Sequence, residues 1–359
     1  MTSLALATPQ PARHPSPTAK AVSLDYLIVG RPDLDRAERF LNDFGLRTVE
    51  KTESAVFLRA CNDKPWCYQV IKTEEPVFIA TGFSVSSERE LEALAAIAGS
   101  SAIEPISAPG GGKRVRMTDP NGFHVDAVLG REPSPAIDLR QPLTQNVGDQ
   151  VTRINATQRP PTAAADILKL GHVVFETADF QAVCGFYTEH FGFIPSDTQV
   201  LPDGSPAVTF MRMDLGDTPA DHHTLALAQT FRGAYSHSAY EVIDVDGIGM
   251  GQQYLQNKGW QHAWGMGRHI LGSQIFDYWS DPWGAHHEHY CDGDVFTADH
   301  PTGIHPFSGD AMAQWGQVMP ASFIKPPLNW TTIKTLIRNL RTVPDLTLKK
   351  LMTIAKLAS

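Results

Sequence analysis

Residues 267–294, GRHILGSQIFDYWSDPWGAHHEHYCDGD, read as two β-strands joined by a tight turn. Ser273 to Trp279 is rich in aromatic and β-branched residues, Asp281-Pro282-Trp283-Gly284 supplies turn chemistry, and Ala285 to Tyr290 makes the second strand. Period-2 alternation puts His286, Glu288 and Tyr290 on one face of that strand, and His287 and His289 on the other. Strands disfavour Glu, and a buried carboxylate is costly unless something pairs with it. The plain alternative is a solvated strand face. Two more histidines on strand-like segments upstream argue against it.

Working outward from the hairpin, the chain repeats itself. LDYLIVG (24–30) reads as a strand, and Leu34, Ala37, Leu41 and Phe44 then recur at helical spacing up to Gly45. Strands over 55–59 and 66–72 follow, then a strand-helix unit (FIATGFSV, SERELEALAAIAG) and a closing hairpin around Asp119-Pro120-Asn121-Gly122. The second copy opens with LGHVVF (170–175) and a helix whose stripe is Phe180, Val183, Cys184, Tyr187 and Phe191, ending at Gly192. Strands are expected over 206–215 and 222–230, then HSAYEV (237–242), a helix over 247–258, and the 267–294 hairpin. D-P-W-G-A-H-H-E aligns with D-P-N-G-F-H-V-D, so the chain carries an internal duplication of βαβββ-like modules.

The duplication bears on chemistry. His172 falls on Tyr26, His237 on Ala80 and Glu288 on Asp126, so the first copy keeps one carboxylate and neither histidine. The scaffold folds without the set. Two imidazoles and a carboxylate on rigid strands, leaving one side of a metal open, match the facial triad of non-haem Fe(II) oxygenases. Taken alone, His172 is plausible as a core histidine with a satisfied ring; its partners His237 and Glu288 favour the ligand. His222 and His223 are adjacent, so in a regular strand they face opposite ways and at most one enters a cleft.

At 359 residues the chain has room for two ordinary cores. A net charge of −9 argues against nucleic acid as a partner. The four cysteines form no CxxC pair, so neither a zinc knuckle nor a disulfide framework is indicated, and a reducing cytoplasm is the natural compartment. Residues 1–21 read as a disordered tail, and 131–167, rich in proline and polar residues, as a connector.

The stretches LGHVVF at 170, HHTLAL at 222, HSAYEV at 237 and the 267–294 hairpin resemble the type I extradiol ring-cleaving dioxygenases of the vicinal oxygen chelate (glyoxalase) superfamily. The resemblance covers roughly residues 22–295 and is strongest after 168. It implies an α+β fold of four βαβββ modules paired into two vicinal-oxygen-chelate domains with mixed curved sheets. Residues 22–130 would lack ligands and 168–295 would carry them. It further implies His172, His237 and Glu288 as ligands of Fe(II), with Mn(II) suited to the same set. His223 is implied as the acid/base histidine, His269 as a second active-site histidine, and Tyr278 as a hydrogen-bonding group beside the substrate. The implied reaction is meta cleavage of a catechol or trihydroxylated ring by O2, and the W-S-D-P-W-G…E-H-Y-C-D-G-D ending resembles members acting on trihydroxylated toluene-like rings. Two other functions are weighed beside it: a metal-dependent glyoxalase-like isomerase or lyase, and an aromatic-binding resistance protein.

Residues 296–359 form an extension. Pro320 to Trp330 reads as an extended arm. In the last thirty residues Lys334, Arg338, Arg341, Lys349, Lys350 and Lys356 face a single Asp345, on two short amphipathic helices hinged at Pro344. This basic segment suits a subunit contact in a homo-oligomer, a cover over the cleft, or weak attraction to an anionic membrane surface; packing back on the acidic body is the expected outcome. His190, His262, His300 and His305 read as surface residues.

Overall fold

The structure, a computed structural model, describes residues 9–309, 312–320, 323 and 329–358. The first half runs β1 (Ser23–Arg31), α1 (Leu34–Phe44), β2 (Arg47–Lys51), β3 (Ala55–Arg59), β4 (Tyr68–Lys72), β5 (Val77–Ser84), α2 (Glu88–Ala95), β6 (Glu104–Pro105), β7 (Lys113–Thr118) and β8 (His124–Leu129). The second runs β9 (Ile167–Thr177), α3 (Phe180–Phe191), β10 (Ile194–Val200), β11 (Pro206–Arg212), β12 (Ala220–Asp221), β13 (Leu225–Gln229), β14 (Ala234–Val242), α4 (Val245–Asn257), β15 (Gln261–Arg268), β16 (Ile275–Ser280) and β17 (His286–Cys291). Beyond these lie β18 (Val295–Phe296), β19 (Gly303–Pro306), β20 (Trp315–Gly316), α5 (Trp330–Thr342) and α6 (Leu348–Ala358).

The helices start where short polar side chains can take up orphan N–H groups. Asp33, Ser87, Asp179 and Asp244 each accept from the backbone three residues on. Gly192, at φ 68°, stops α3 in the left-handed region.

Both halves are mixed sheets of one design. The first has the order β2-β3-β4-β1-β5-β8-β7-β6, the second β19-β10-β11-β13-β9-β14-β17-β16-β15-β20. In each, the two opening strands pair antiparallel (β1 with β5, β9 with β14) and the second runs parallel to the closing hairpin (β5 with β8, β14 with β17). The duplication extends to irregularities. The pairing skips Asp25 and Ile79 in the first sheet, and Gly171 and Ser236 in the second. Each is a bulge one residue before a position of interest, and bulges re-aim the side chains beside them. At Gly171 no other residue fits, since a Cβ would stand 2.0 Å from the Tyr290 hydroxyl.

The first helix of each half also packs against the other half. Phe40 and Phe44 of α1 pack on His287 and His289 of β17, whereas Tyr187 and Phe191 of α3 pack on Phe83 of β5. His289 Nε2 donates to the Phe44 carbonyl at 2.7 Å. These outward-facing histidines are thus core residues between the halves.

Several expectations need correction. Residues 9–21 are not a loose tail: Ala19 and Ala21 are buried, and their amides donate to the His190 and Phe191 carbonyls at the end of α3. β2, β10 and β15 were not foreseen. The strand expected from His222 starts at Leu225, because the chain bends at 222–224. The segment after 295 is more than an arm, since β19 and β20 extend both edges of the second sheet. The two basic helices form as expected, but Trp330 is 77 % exposed. Of the Pro320–Trp330 arm, residues 321–322 and 324–328 lie outside the described residues. Among the described residues no helix is long and apolar enough to cross a membrane.

The turn before β17 is tied to the first half. Arg31 places Nε and Nη2 at 2.9 and 2.8 Å from Asp281 Oδ2, with both side chains buried. Asp281 Oδ1 accepts from the Trp283 and Ala285 amides, closing the turn. Arg31→Met should leave a buried carboxylate half-paired and destabilise the protein by about 3 kcal/mol, read as a lower denaturant midpoint.

Candidate active site

β9, β14 and β17 lie side by side, and their register assembles the site. His172 stands opposite Ala239, which stands opposite Glu288; His237 lies two residues before Ala239, on the same face. The small side chain of Ala239 leaves the space between the strands to its neighbours. Ligand atoms of His172, His237 and Glu288 all come within 4.8 Å of one another, and the three residues are buried.

The donor set fits a divalent cation. Glu288 is fully buried, yet neither carboxylate oxygen has a hydrogen-bond partner, and His172 Nδ1 has none either. The Nε2 atoms of His172 and His237 stand 3.2 and 3.4 Å from Glu288 Oε2 without hydrogen-bond alignment. His237 Nδ1 meets Ser236 Oγ at 3.2 Å, which leaves Nε2 free to ligate. Burial alone pushes a carboxyl pKa up, but the imidazoles of His172, His237 and His269 outweigh it and hold Glu288 well below the usual range. A buried anion with two unsatisfied oxygens calls for positive charge.

The first half shows what the same row becomes without the two histidines. Tyr26, Gly82 and Asp126 occupy the positions of His172, Ala239 and Glu288. Asp126 accepts from the Tyr26 hydroxyl at 2.8 Å and from Arg116 Nε and Nη2 at 2.7 and 2.8 Å. A guanidinium satisfies this carboxylate. In the second half Tyr278 stands opposite Glu288, where Arg116 stands opposite Asp126.

The remaining expected residues converge on the same space. His172, His237, His223, His269 and Tyr278 all line one cavity. The Tyr278 hydroxyl lies 3.0 Å from His269 Nε2, and His269 Nδ1 lies 2.7 Å from the Met312 carbonyl. A neutral His269 therefore donates to Met312 and accepts from Tyr278. Burial and the Glu288 charge push the Tyr278 pKa well up, so it stays a donor. Phe323, from the C-terminal segment, packs on both Tyr278 and His286.

His223 lines the cavity and His222 does not. The reason is not strand alternation. At the 222–224 bend the two rings meet edge on, Nδ1 to Nδ1 at 2.9 Å. His222 Nε2 lies 2.7 Å from Asp197 Oδ2, and Asp197 Oδ1 lies 2.7 Å from His305 Nε2. With both rings neutral, His222 donates to Asp197 and must accept from His223, which leaves His223 Nε2 as a bare acceptor. Burial drives the His223 pKa well down, with the neighbouring His172 and His222 adding to it, so the ring is neutral. His222, Asp197 and His305 were not singled out as site residues. Asp197 sits in IPSDTQV, which carries no strand signal, and His305 is 108 residues away. His262, likewise read as surface, is half-buried against Asp277 at 2.8 Å.

Residues 169–288, which carry the His-His-Glu cluster and the bulged strands around it, match the family model of the Glyoxalase/Bleomycin resistance protein/Dioxygenase superfamily. Among its relatives is metapyrocatechase 2 of Cupriavidus necator, 29 % identical over 84 % of this chain and 91 % of that protein. The iron-dependent extradiol dioxygenase of Rhodococcus jostii (strain RHA1) is 30 % identical over 34 % of this chain and 43 % of its own. A Mn(II)-bound glyoxalase from Novosphingobium aromaticivorans shares the fold, with a TM-score of 0.72 and 24 % identity over 87 % of this chain and 97 % of that one.

Removing the far end of the histidine chain tests its role. Asp197→Ala should lower kcat by roughly 10–100-fold with metal content unchanged, the usual effect of losing an orienting partner. Steady-state kinetics beside metal analysis would show it.

Proposed function

We propose that the protein is an extradiol dioxygenase that opens a catechol-type or trihydroxylated aromatic ring beside its diol, using O2 at a mononuclear Fe(II) held by His172, His237 and Glu288. The observation that carries the reading is the buried, unsatisfied Glu288 between His172 and His237, two imidazoles that line one cavity with His223, His269 and Tyr278. The names of the two relatives point the same way. A glyoxalase-like lyase or a binding protein has no need of the last three residues.

Bound in this set, Fe(II) supplies Lewis acidity and a path for electrons from ring to O2, and Mn(II) suits the same donors. The chain supplies the rest. His223 Nε2, bare and neutral, takes a proton from the diol and returns it as the ring opens. Tyr278, aligned by His269 and through it by Met312, offers a fixed hydroxyl beside the diol oxygens and stabilises charge developing there. The apolar walls exclude water, so reactive oxygen species meet substrate first. No reductant is required, because the diol supplies the electrons, and both oxygen atoms end in the product.

Protein purified without oxygen and loaded with Fe(II) should consume O2 and release a yellow ring-fission product with a catechol. His172→Ala, His237→Ala and Glu288→Ala should each lose most bound iron and nearly all turnover; full activity of metal-free protein would refute the reading. His223→Ala should keep the iron and bind catechol, with turnover down roughly 10²–10⁴-fold. Isothermal titration in the absence of O2 separates that binding from the chemistry.

A further inference from the structure

The cavity above the triad is larger than a diol ring needs. It encloses about 530 Å³, whereas a cavity of about 150 Å³ already holds benzene. Its shape follows from strand geometry. His172, Val174 and Glu176 alternate along one face of β9 and all line it, so it extends four residues, ~13 Å, beyond the metal-side histidine. Ala226 and Ala228 of β13 continue that floor with small side chains. The roof comes from the C-terminal helices: Leu336 of α5, and Leu351, Ile354 and Ala355 of α6, face down into the space.

Charge narrows the occupant further. Among the described residues no lysine or arginine lines the cavity, and the one acidic side chain that does is Glu176, 3.2 Å from Arg232. Lys350 on α6 is buried behind the wall, its Nζ 3.0 Å from Gln229 Oε1. A carboxylated substituent would be desolvated here without a cation and would meet Glu176 instead. An apolar one gains roughly fourfold in affinity for each methylene it buries.

We propose that the substrate is a catechol bearing a large, uncharged, apolar substituent, an aryl or long alkyl group, which lies along β9 beneath α5 and α6 while the diol meets the triad. This rests on the ring-cleavage reading and names the substrate class within it. Glu176, Gln229 and Thr230 give the far end a polar rim, so the substituent is apolar along its length and tolerates a neutral polar tip.

The test uses the full-length, iron-loaded protein and a matched panel: catechol, 3- and 4-methylcatechol, 2,3- and 3,4-dihydroxybiphenyl, 3- and 4-heptylcatechol, and 3,4-dihydroxyphenylacetate. For the better-accepted ring position, kcat/KM should exceed that of catechol by at least 100-fold with the phenyl or heptyl group, and the arylacetate should fall below catechol. Ala228→Phe on the floor and Ala355→Trp on the roof should each cut the ratio of large to small substrate by tenfold or more. The same ratio is read without O2 as relative affinity by titration. Strong, selective binding of the apolar diols with no turnover would keep this inference and overturn the ring-cleavage reading. Turnover with a profile flat to within threefold, or one favouring the carboxylated diol, would overturn the inference and leave the reading intact.

Discussion

The fully buried carboxylate of Glu288 is the constraint from which the second half of the molecule is built. Removing such a group from water costs several kcal/mol unless positive charge or hydrogen bonds replace the solvent. The duplicated scaffold meets that demand in two ways. In the first half Arg116 and Tyr26 close around Asp126 and the row becomes an ordinary buried ion pair. In the second, Tyr278 replaces the arginine and histidines replace Tyr26 and Ala80, so the charge can be met only by imidazoles and whatever they hold. The first copy, which has neither histidine, has bulges at the matching positions, which makes those at Gly171 and Ser236 properties of the scaffold that the His-His-Glu cluster uses rather than consequences of it.

The C-terminal segment acts on the same site from the other side. Sheet edges left open invite pairing with other chains, and β19 and β20 cover both edges of the second sheet. The segment brings the Met312 carbonyl, between β19 and β20, to His269, and Phe323, after β20, to Tyr278. It then turns back as α5 and α6, where Asn339 Nδ2 donates to the Phe231 carbonyl and Lys350 reaches Gln229. The basic character of these helices thus accompanies a roof, one of the roles their composition allowed.

Much of this was legible in the sequence because it rests on local rules. Helices announced themselves through apolar residues at helical spacing, closed by Gly45 and by Gly192. The alternation in HHEHY placed Glu288 toward the site because β17 is a regular strand paired on both sides. What failed, failed for physical reasons. Arg47–Lys51 is mostly exposed and polar, and Ile194–Val200 contains proline and four polar residues, so neither shows the pattern of a strand; pairing with neighbours makes them strands. Alternation predicted opposite faces for His222 and His223, and the bend at 222–224 removes the premise. Ala19 and Ala21 carry too little apolar surface to signal burial on their own; the end of α3 supplies the partner. The relay through Asp197 joins residues from three distant segments and has no local signature at all.

The three histidines around Glu288 on one strand divide between two tasks. Glu288 and His286 face forward, the latter against Phe323. His287 and His289 face back, into the interface with the first half. There His289 stacks on Phe44 with ring centroids 3.9 Å apart, and His287 lies against Phe40, Phe44 and Tyr68. Burial drives the pKa of both rings down to about 4, so at neutral pH they are uncharged packing groups that still satisfy polar atoms. A strand that carries a site residue must hold its position to a fraction of an ångström for the site geometry to be right. Rear-face imidazoles do this better than aliphatic side chains, because each adds a directional contact to shape complementarity: His289 to the Phe44 carbonyl, and His287 to the Tyr68 hydroxyl at 3.3 Å. The half of the chain that has neither histidine of the set therefore still serves the site, by fixing from behind the strand that carries Glu288.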